Sequence, residues 1–165
     1  MSHLILVEGT TDKAVVKGIA EKLGINVKIR IMRGDRPEKA IRLANAELTT
    51  EKYSKVIILK DQHEHPQNII KQKLNKVTAN IKHVKTYPFI VKKSIEAWIL
   101  AGMGIANPEN IDDPETYLDH ILMKRGKRYI KIPKMVNELV KNIDLQKAQH
   151  QSHTLKQFTK VLKEC

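Results

Sequence analysis

The segment His3 to Val7 (HLILV) runs without alternation of apolar and polar positions and stops at Glu8-Gly9-Thr10-Thr11. A short unbroken run of this kind suits a strand covered on both faces, as in a parallel sheet. Directly after the break, residues 12–23 carry apolar side chains at helical spacing (Val15, Val16, Ile19, Ala20, Leu23), and Gly24 closes them. A covered strand feeding an amphipathic helix through a tight turn points to an α/β chain.

The pattern repeats. Residues 27–32 alternate apolar and basic, which predicts a strand with one face toward solvent. Pro37 stands where a helix can start, and Ile41, Leu43, Ala44 and Leu48 give that helix an apolar side. Residues 56–59 predict a third, buried strand ended by Lys60-Asp61. Pro66 opens a third helix (Ile69, Ile70, Leu74, Val77), and residues 81–91 hold a fourth strand interrupted at Pro88. Residues 1–93 therefore read as a Rossmann-like core: a mostly parallel four-stranded sheet sandwiched by helices. From Ser94 the texture becomes helical, with helices expected over 95–100, 115–124, 134–143 and 154–163 and a loop through Gly102, Gly104 and Pro108. Residues 94–165 read as a helical extension packed on the sheet, so that 1–165 form a single domain.

Thirty lysines and arginines against eighteen acidic residues give a formal net charge of +12. The pI near 9.8 is the electrostatic footprint of a protein that meets a polyanion; a lysine-rich surface selected by a hot habitat is the plainer alternative. The lone cysteine, Cys165, excludes a disulfide framework and fits a reducing, cytoplasmic setting. No stretch approaches the roughly 20 apolar residues of a membrane span, and the N-terminal apolar run is short for a signal peptide.

Ligands of open parallel sheets bind outside the carboxyl ends of the strands. The first strand ends in Glu8, with Asp12 one helical turn on, and the second in Arg33-Gly34-Asp35-Arg36. The third ends in Asp61, followed by Gln62-His63-Glu64-His65, and the fourth in Lys92-Lys93-Ser94, followed by Glu96. Carboxylates thus recur at one sheet edge of a strongly basic chain, a costly arrangement unless a cation offsets it. Oxygen-rich clusters suit Mg²⁺, which can neutralise charge on a phosphodiester and activate water. The candidate metal set is Asp12, Asp61, Glu64 and Glu96, with Mn²⁺ also admissible. The candidate contacts to a DNA or RNA backbone are Arg33, Arg36, Lys92, Lys93, Lys124, Arg125, Lys127, Arg128 and Lys131, each adding salt-dependent, sequence-independent affinity. Trp98, among Ile95, Ile99 and Leu100, reads as core. An aromatic content of 4% leaves little for stacking single-stranded bases.

Glu8 after a buried strand, Gly9 and Asp12 (V-E-G-x-x-D), then Asp61 after another buried strand, resemble the Toprim domain shared by topoisomerases, bacterial primases, ribosomal-RNA maturases and the overcoming-lysogenization-defect nucleases. Ser94-Ile95-Glu96-Ala97-Trp98-Ile99-Leu100-Ala101 is similar to the S-x-E-A-W-L-L-A segment of small stand-alone Toprim-like proteins related to those nucleases. The resemblance implies that Glu8 is the general acid or base and that Asp61 binds Mg²⁺, with Asp12 beside it. The family's second motif is usually Asp-x-Asp, whereas here His63 stands at the second position. Imidazole is a poor ligand for hard Mg²⁺ and a better one for Mn²⁺ or Zn²⁺. Three readings stay open: Glu64 substitutes, the metal preference has shifted, or the chain binds without cutting.

The expected function is metal-dependent cleavage of nucleic-acid phosphodiesters. The alternative is a non-catalytic nucleic-acid-binding subunit of a replication, repair or RNA-processing assembly. A topoisomerase would need a further domain carrying a catalytic tyrosine. A small-molecule phosphotransferase finds no GxxxxGK[ST] or GxGxxG loop here.

Overall fold

The computed structural model describes residues 2–34 and 36–164; Asp35 and Cys165, both named above, lie outside the described residues. Along the chain come β1 (His3–Val7), α1 (Thr10–Leu23), β2 (Val27–Ile31), α2 (Pro37–Thr50), β3 (Val56–Asp61), α3 (Gln67–Ala79) and β4 (Thr86–Val91). They are followed by α4 (Glu96–Gly102), a 3₁₀ turn (Pro108–Asn110), α5 (Pro114–Met123), α6 (Pro133–Asn142), α7 (Leu145–Gln151) and α8 (His153–Lys163).

The four strands pair in parallel in the order β2-β1-β3-β4. Ile5 of β1 lies beside Ile29 of β2 on one side and Ile57 of β3 on the other. Successive side chains of a strand leave opposite faces, and both faces are covered, which is why β1 reads as an unbroken run. Ile5, Val7, Ile57 and Leu59 join a core with α1 and the helices from α4 onward, including the fully buried Trp98 and Phe158. Leu4, Leu6, Val56 and Ile58 join a second core with Ala40 and Ala44 of α2 and Ile70, Leu74 and Val77 of α3.

The first crossover, through α1, therefore lies on one face, and the crossovers through α2 and α3 lie on the other. The chain leaves β1 toward β2 and then returns past β1 to β3. The strand order reverses between β1 and β3, and their carboxyl ends splay into a crevice at this switch point.

The sheet edges are managed differently. β2 alternates half-buried and exposed residues. Its Lys28 and Arg30 reach the buried carboxylate of Glu47 at 3.3 and 3.2 Å. The other edge strand, β4, contains Pro88. The sequence pattern has Pro88 interrupting the strand, yet β4 runs straight through it. An edge strand can accommodate a residue without a backbone N–H.

Some boundaries also move. Lys60 and Asp61 belong to β3, α1 begins at Thr10 with Gly9 as its cap, and Gly102 ends α4 instead of opening a loop. Helix α7 is new; the side chain of Asp144 caps it by accepting from the N–H of Lys147 at 3.1 Å.

At Gly102 α4 packs directly against Ile143, which follows α6. A Cβ there would lie 2.4 Å from Cβ and 2.8 Å from Cγ2 of Ile143. Ile143 cannot yield by rotating a side-chain end, so Gly102→Ala is expected to cost about 2–3 kcal/mol despite alanine's better helix propensity. That corresponds to a melting temperature lower by roughly 5–10 °C in a thermal melt; an unchanged midpoint would refute the close packing. Among the described residues, no helix is long and apolar enough to cross a membrane.

Candidate metal centre

Glu8 immediately follows β1, Asp61 ends β3, and the crevice between these strands brings their carboxylates together. Oε2 of Glu8 accepts from the backbone N–H of Asp61 at 3.3 Å, and Lys60 forms an ion pair with Oε1. Oδ2 of Asp61 accepts from the N–H of Ile95, just ahead of α4, at 3.3 Å. His63 follows two residues after Asp61, with Nε2 3.8 Å from Glu8 Oε2 and 3.9 Å from Asp61 Oδ2. Glu8, Asp61 and His63 each offer a donor atom within 4.8 Å of the other two.

This donor set fits a cation. Ligand atoms held at about 2.1 Å from one octahedral ion stand roughly 3 to 4.2 Å apart, and both imidazole–carboxylate distances fall in that range. Two carboxylates with one imidazole form a mixed hard and borderline set, which suits a first-row transition ion at least as well as Mg²⁺. A cluster of these three residues could hold a metal ion.

Two further carboxylates stand behind this corner. Asp12, in the first turn of α1, is buried and accepts from the N–H of Gly9 at 3.0 Å. Burial, then the charges of Glu8 and Glu96, push its pKa up to about 6. Burial also drives Asp61 well above the usual carboxylate range, followed by the charges of Asp12, Glu8 and Glu96. Glu96, at the start of α4, is 1% exposed. Its Oε2 accepts from the Tyr129 hydroxyl at 2.8 Å, and the Lys131 ammonium lies 3.7 Å away. Burial and the Glu96 carboxylate raise the pKa of Tyr129.

The backbone is strained at three of the four strand exits. Arg33, His63 and Lys93 follow β2, β3 and β4 and have φ of 54°, 50° and 65°, the left-handed region that non-glycine residues rarely occupy. They persist because hydrogen bonding continues past the strands: Arg33 N–H donates to Glu8 O at 3.1 Å, and His63 N–H donates to Lys93 O at 2.8 Å. Strain of this kind clusters at functional sites, where surrounding structure holds it in place.

Beside His63 opens a cavity of about 560 Å³, bordered by Glu64, His65, Lys93, Ser94 and Asp112. Among the described residues, the Ser94 hydroxyl is the one buried side-chain polar atom without a hydrogen-bond partner. A bound group or water would satisfy it.

Of the expected metal residues, Asp61 lies at the centre, and Glu8 joins it as a donor in addition to its expected proton-transfer role. Asp12 and Glu96 stand close enough to shift Asp61 but are not among the three converging residues. Glu64 is exposed and also falls outside that group, whereas His63 is in it.

The basic residues divide. Arg33, Arg36, Lys92, Lys124, Arg125 and Lys127 are exposed. Lys93 lies 3.7 Å from Asp112. Arg128 grips Asp119 with two hydrogen bonds of 3.0 and 2.9 Å, and Lys131 joins Glu96 to Glu115, 2.9 Å away. Arg128 and Lys131 thus anchor the segment between α5 and α6. Through Tyr129 and Lys131 this segment is tied to Glu96, the carboxylate at the start of α4.

Sequence reasoning missed Lys60 and the role of Tyr129. Lys60 had a readable signal: a lysine inside VIILKD must be buried, and a buried ammonium needs a carboxylate. No protein-family model matches the chain, and neither curated proteins nor solved structures include a significant match to it.

Proposed function

We propose that this chain is a metal-dependent phosphodiesterase acting on nucleic acid, of the Toprim type its motifs resemble, and that it uses Mg²⁺ or Mn²⁺. The observation that carries the reading is the convergence of Glu8, Asp61 and His63 at the switch point of a parallel sheet, in a chain of net charge +12. Asp61, His63 and Glu8 would hold the ion. When bound, it supplies Lewis-acid neutralisation of a phosphoryl oxygen and an acidified water. Glu8 sits where it can take or return a proton. The charges of Asp12 and Glu96 behind Asp61 would favour a cation at this corner. Lys124, Arg125 and Lys127, exposed on the segment that Tyr129 ties to Glu96, hold the phosphate backbone.

A second reading has a specific observation behind it. Lys60 already neutralises one oxygen of Glu8, and the second acidic position of the motif is His63. Both fit a protein that binds nucleic acid within a larger processing assembly without cutting it.

Cleavage of labelled single- and double-stranded DNA and RNA, with Mg²⁺ or Mn²⁺ present, separates the two. Product formation lost in Glu8→Ala supports the phosphodiesterase. Salt-sensitive binding with no product under either metal supports the binder, and no binding at low salt removes both. Under either reading, replacing Lys124, Arg125 and Lys127 together by alanine should weaken binding about tenfold or more. It should also flatten the salt dependence by about one power of salt concentration for each phosphate no longer neutralised.

A further inference from the structure

Two lysines are buried among the described residues, Lys55 and Lys60. Lys55 donates to the carbonyl oxygens of Val161 and Glu164, closing the end of α8. Lys60 does something else. Its side chain leaves β3 toward the α2/α3 layer and shares a slot with Met32, Ile58, Ile70 and Leu74, also lined by Arg36 and Lys73, where little water reaches it. The apolar side chains hold the stem, and the ammonium meets the carboxylate of Glu8. Asp61, the next residue, leaves the opposite face of the strand. Glu8 is therefore addressed from both sides: Lys60 from the α2/α3 side, and Asp61 with His63 at the metal corner.

We propose that Lys60 is the resident counter-ion of this corner, competing with a divalent cation for Glu8 and so setting how tightly the ion is held. The inference rests on the metal-site reading above. An ammonium on Oε1 stands only a few ångströms from any ion engaging Oε2, and like charges at that separation repel strongly when water is excluded. The stem cannot swing to solvent without leaving its apolar slot, so the repulsion persists after the ion binds. A charge effect of this kind acts on any divalent ion. Lys60 therefore lowers affinity for Mg²⁺ and Mn²⁺ alike, whereas the imidazole of His63 discriminates between them. In the ion-free protein the same contact keeps Glu8 from facing Asp61 uncompensated.

The test is Mn²⁺ and Mg²⁺ binding to the full chain by calorimetry, and by electron paramagnetic resonance for Mn²⁺, near neutral pH and at constant salt. Wild type is compared with Lys60→Gln, Lys60→Met and Lys60→Arg, and circular dichroism confirms the fold. Lys60→Gln keeps a donor to Glu8 without the charge, and Lys60→Met keeps the stem without the donor. Both should bind each ion about tenfold more tightly or better, while Lys60→Arg should stay within about threefold of wild type. Binding seen only in the neutral variants would support the proposal in its strongest form. Unchanged or weaker binding in folded Lys60→Gln, with wild type binding normally, overturns it and leaves the metal-site reading standing. No binding in any form overturns both.

Discussion

Replacing Asp61 with asparagine is expected to slow metal-dependent cleavage on the order of a thousandfold, roughly 4 kcal/mol of barrier, while making the ion-free protein more stable. The two effects share one cause. Asp61 is buried at a point where Asp12, Glu8 and Glu96 all oppose its charge. That field makes it a poor carboxylate for an empty fold and a good one for a cation. Asparagine keeps the oxygen that accepts from the Ile95 N–H and supplies an amide that can donate to a neighbouring carboxylate. The variant should lose ion binding in calorimetry and melt at a higher temperature than wild type in chelator. A variant that still binds Mn²⁺ as wild type does would remove Asp61 from the metal set. A variant less stable than wild type in chelator would show that its carboxylate is compensated in the folded state.

Without a divalent ion, the protein should lose stability as pH rises, a direction opposite to ordinary acid denaturation. Asp12 titrates near pH 6 in the folded protein against an ordinary 3.8, and Asp61 is displaced the same way. A folded state that holds its protons to higher pH gains most from these groups below about pH 4 and loses that gain as they ionise. The loss continues through about pH 6 for Asp12, and Asp61, raised for the same reasons, adds to it in the same direction. For Asp12 alone this amounts to about 3 kcal/mol at neutral pH. The carboxylates whose pKa is lowered, Asp113 and Asp119 among them, act the other way. They matter only below their ordinary range, outside this window; inside it His3, whose pKa burial lowers, acts against the two aspartates. Melting temperatures in chelator should therefore fall from about pH 4 to about pH 7. Saturating Mn²⁺ should flatten the profile, because the ion binds the deprotonated carboxylates. A chelated protein that grows steadily more stable over that range would contradict the picture of an uncompensated acidic corner.

Much of the fold was legible because the sheet is buried on both faces. The unbroken runs at β1 and β3, the alternation at β2 and the helix punctuation at Gly24, Pro37 and Pro66 are local signals, and the structure follows them. Helix α7 was not legible. In LQKAQHQ one residue, Ala148, is buried, so no apolar periodicity announces the helix. The side chain of Asp144 and its position between α6 and α8 decide it. The site divides the same way. Glu8 and Asp61 announce themselves by ending apolar strands. His63 stands at the second position of the motif and enters the donor group, whereas Glu64, named from its charge, does not. Tyr129 meets Glu96 across 33 positions, a pairing that only the packing of the 124–132 segment against α4 creates.

The two borders of the sheet bear on how the molecule behaves in crowds. On β2, the side chains of Lys28 and Arg30 tied to Glu47 would leave an incoming strand to displace bound charge. On β4, Pro88 has no backbone N–H to extend a ladder. A sheet left open at both ends is a template for polymerisation of like chains. Here each end carries its own deterrent, so the protein can be concentrated on a surface without its copies stitching together edge to edge.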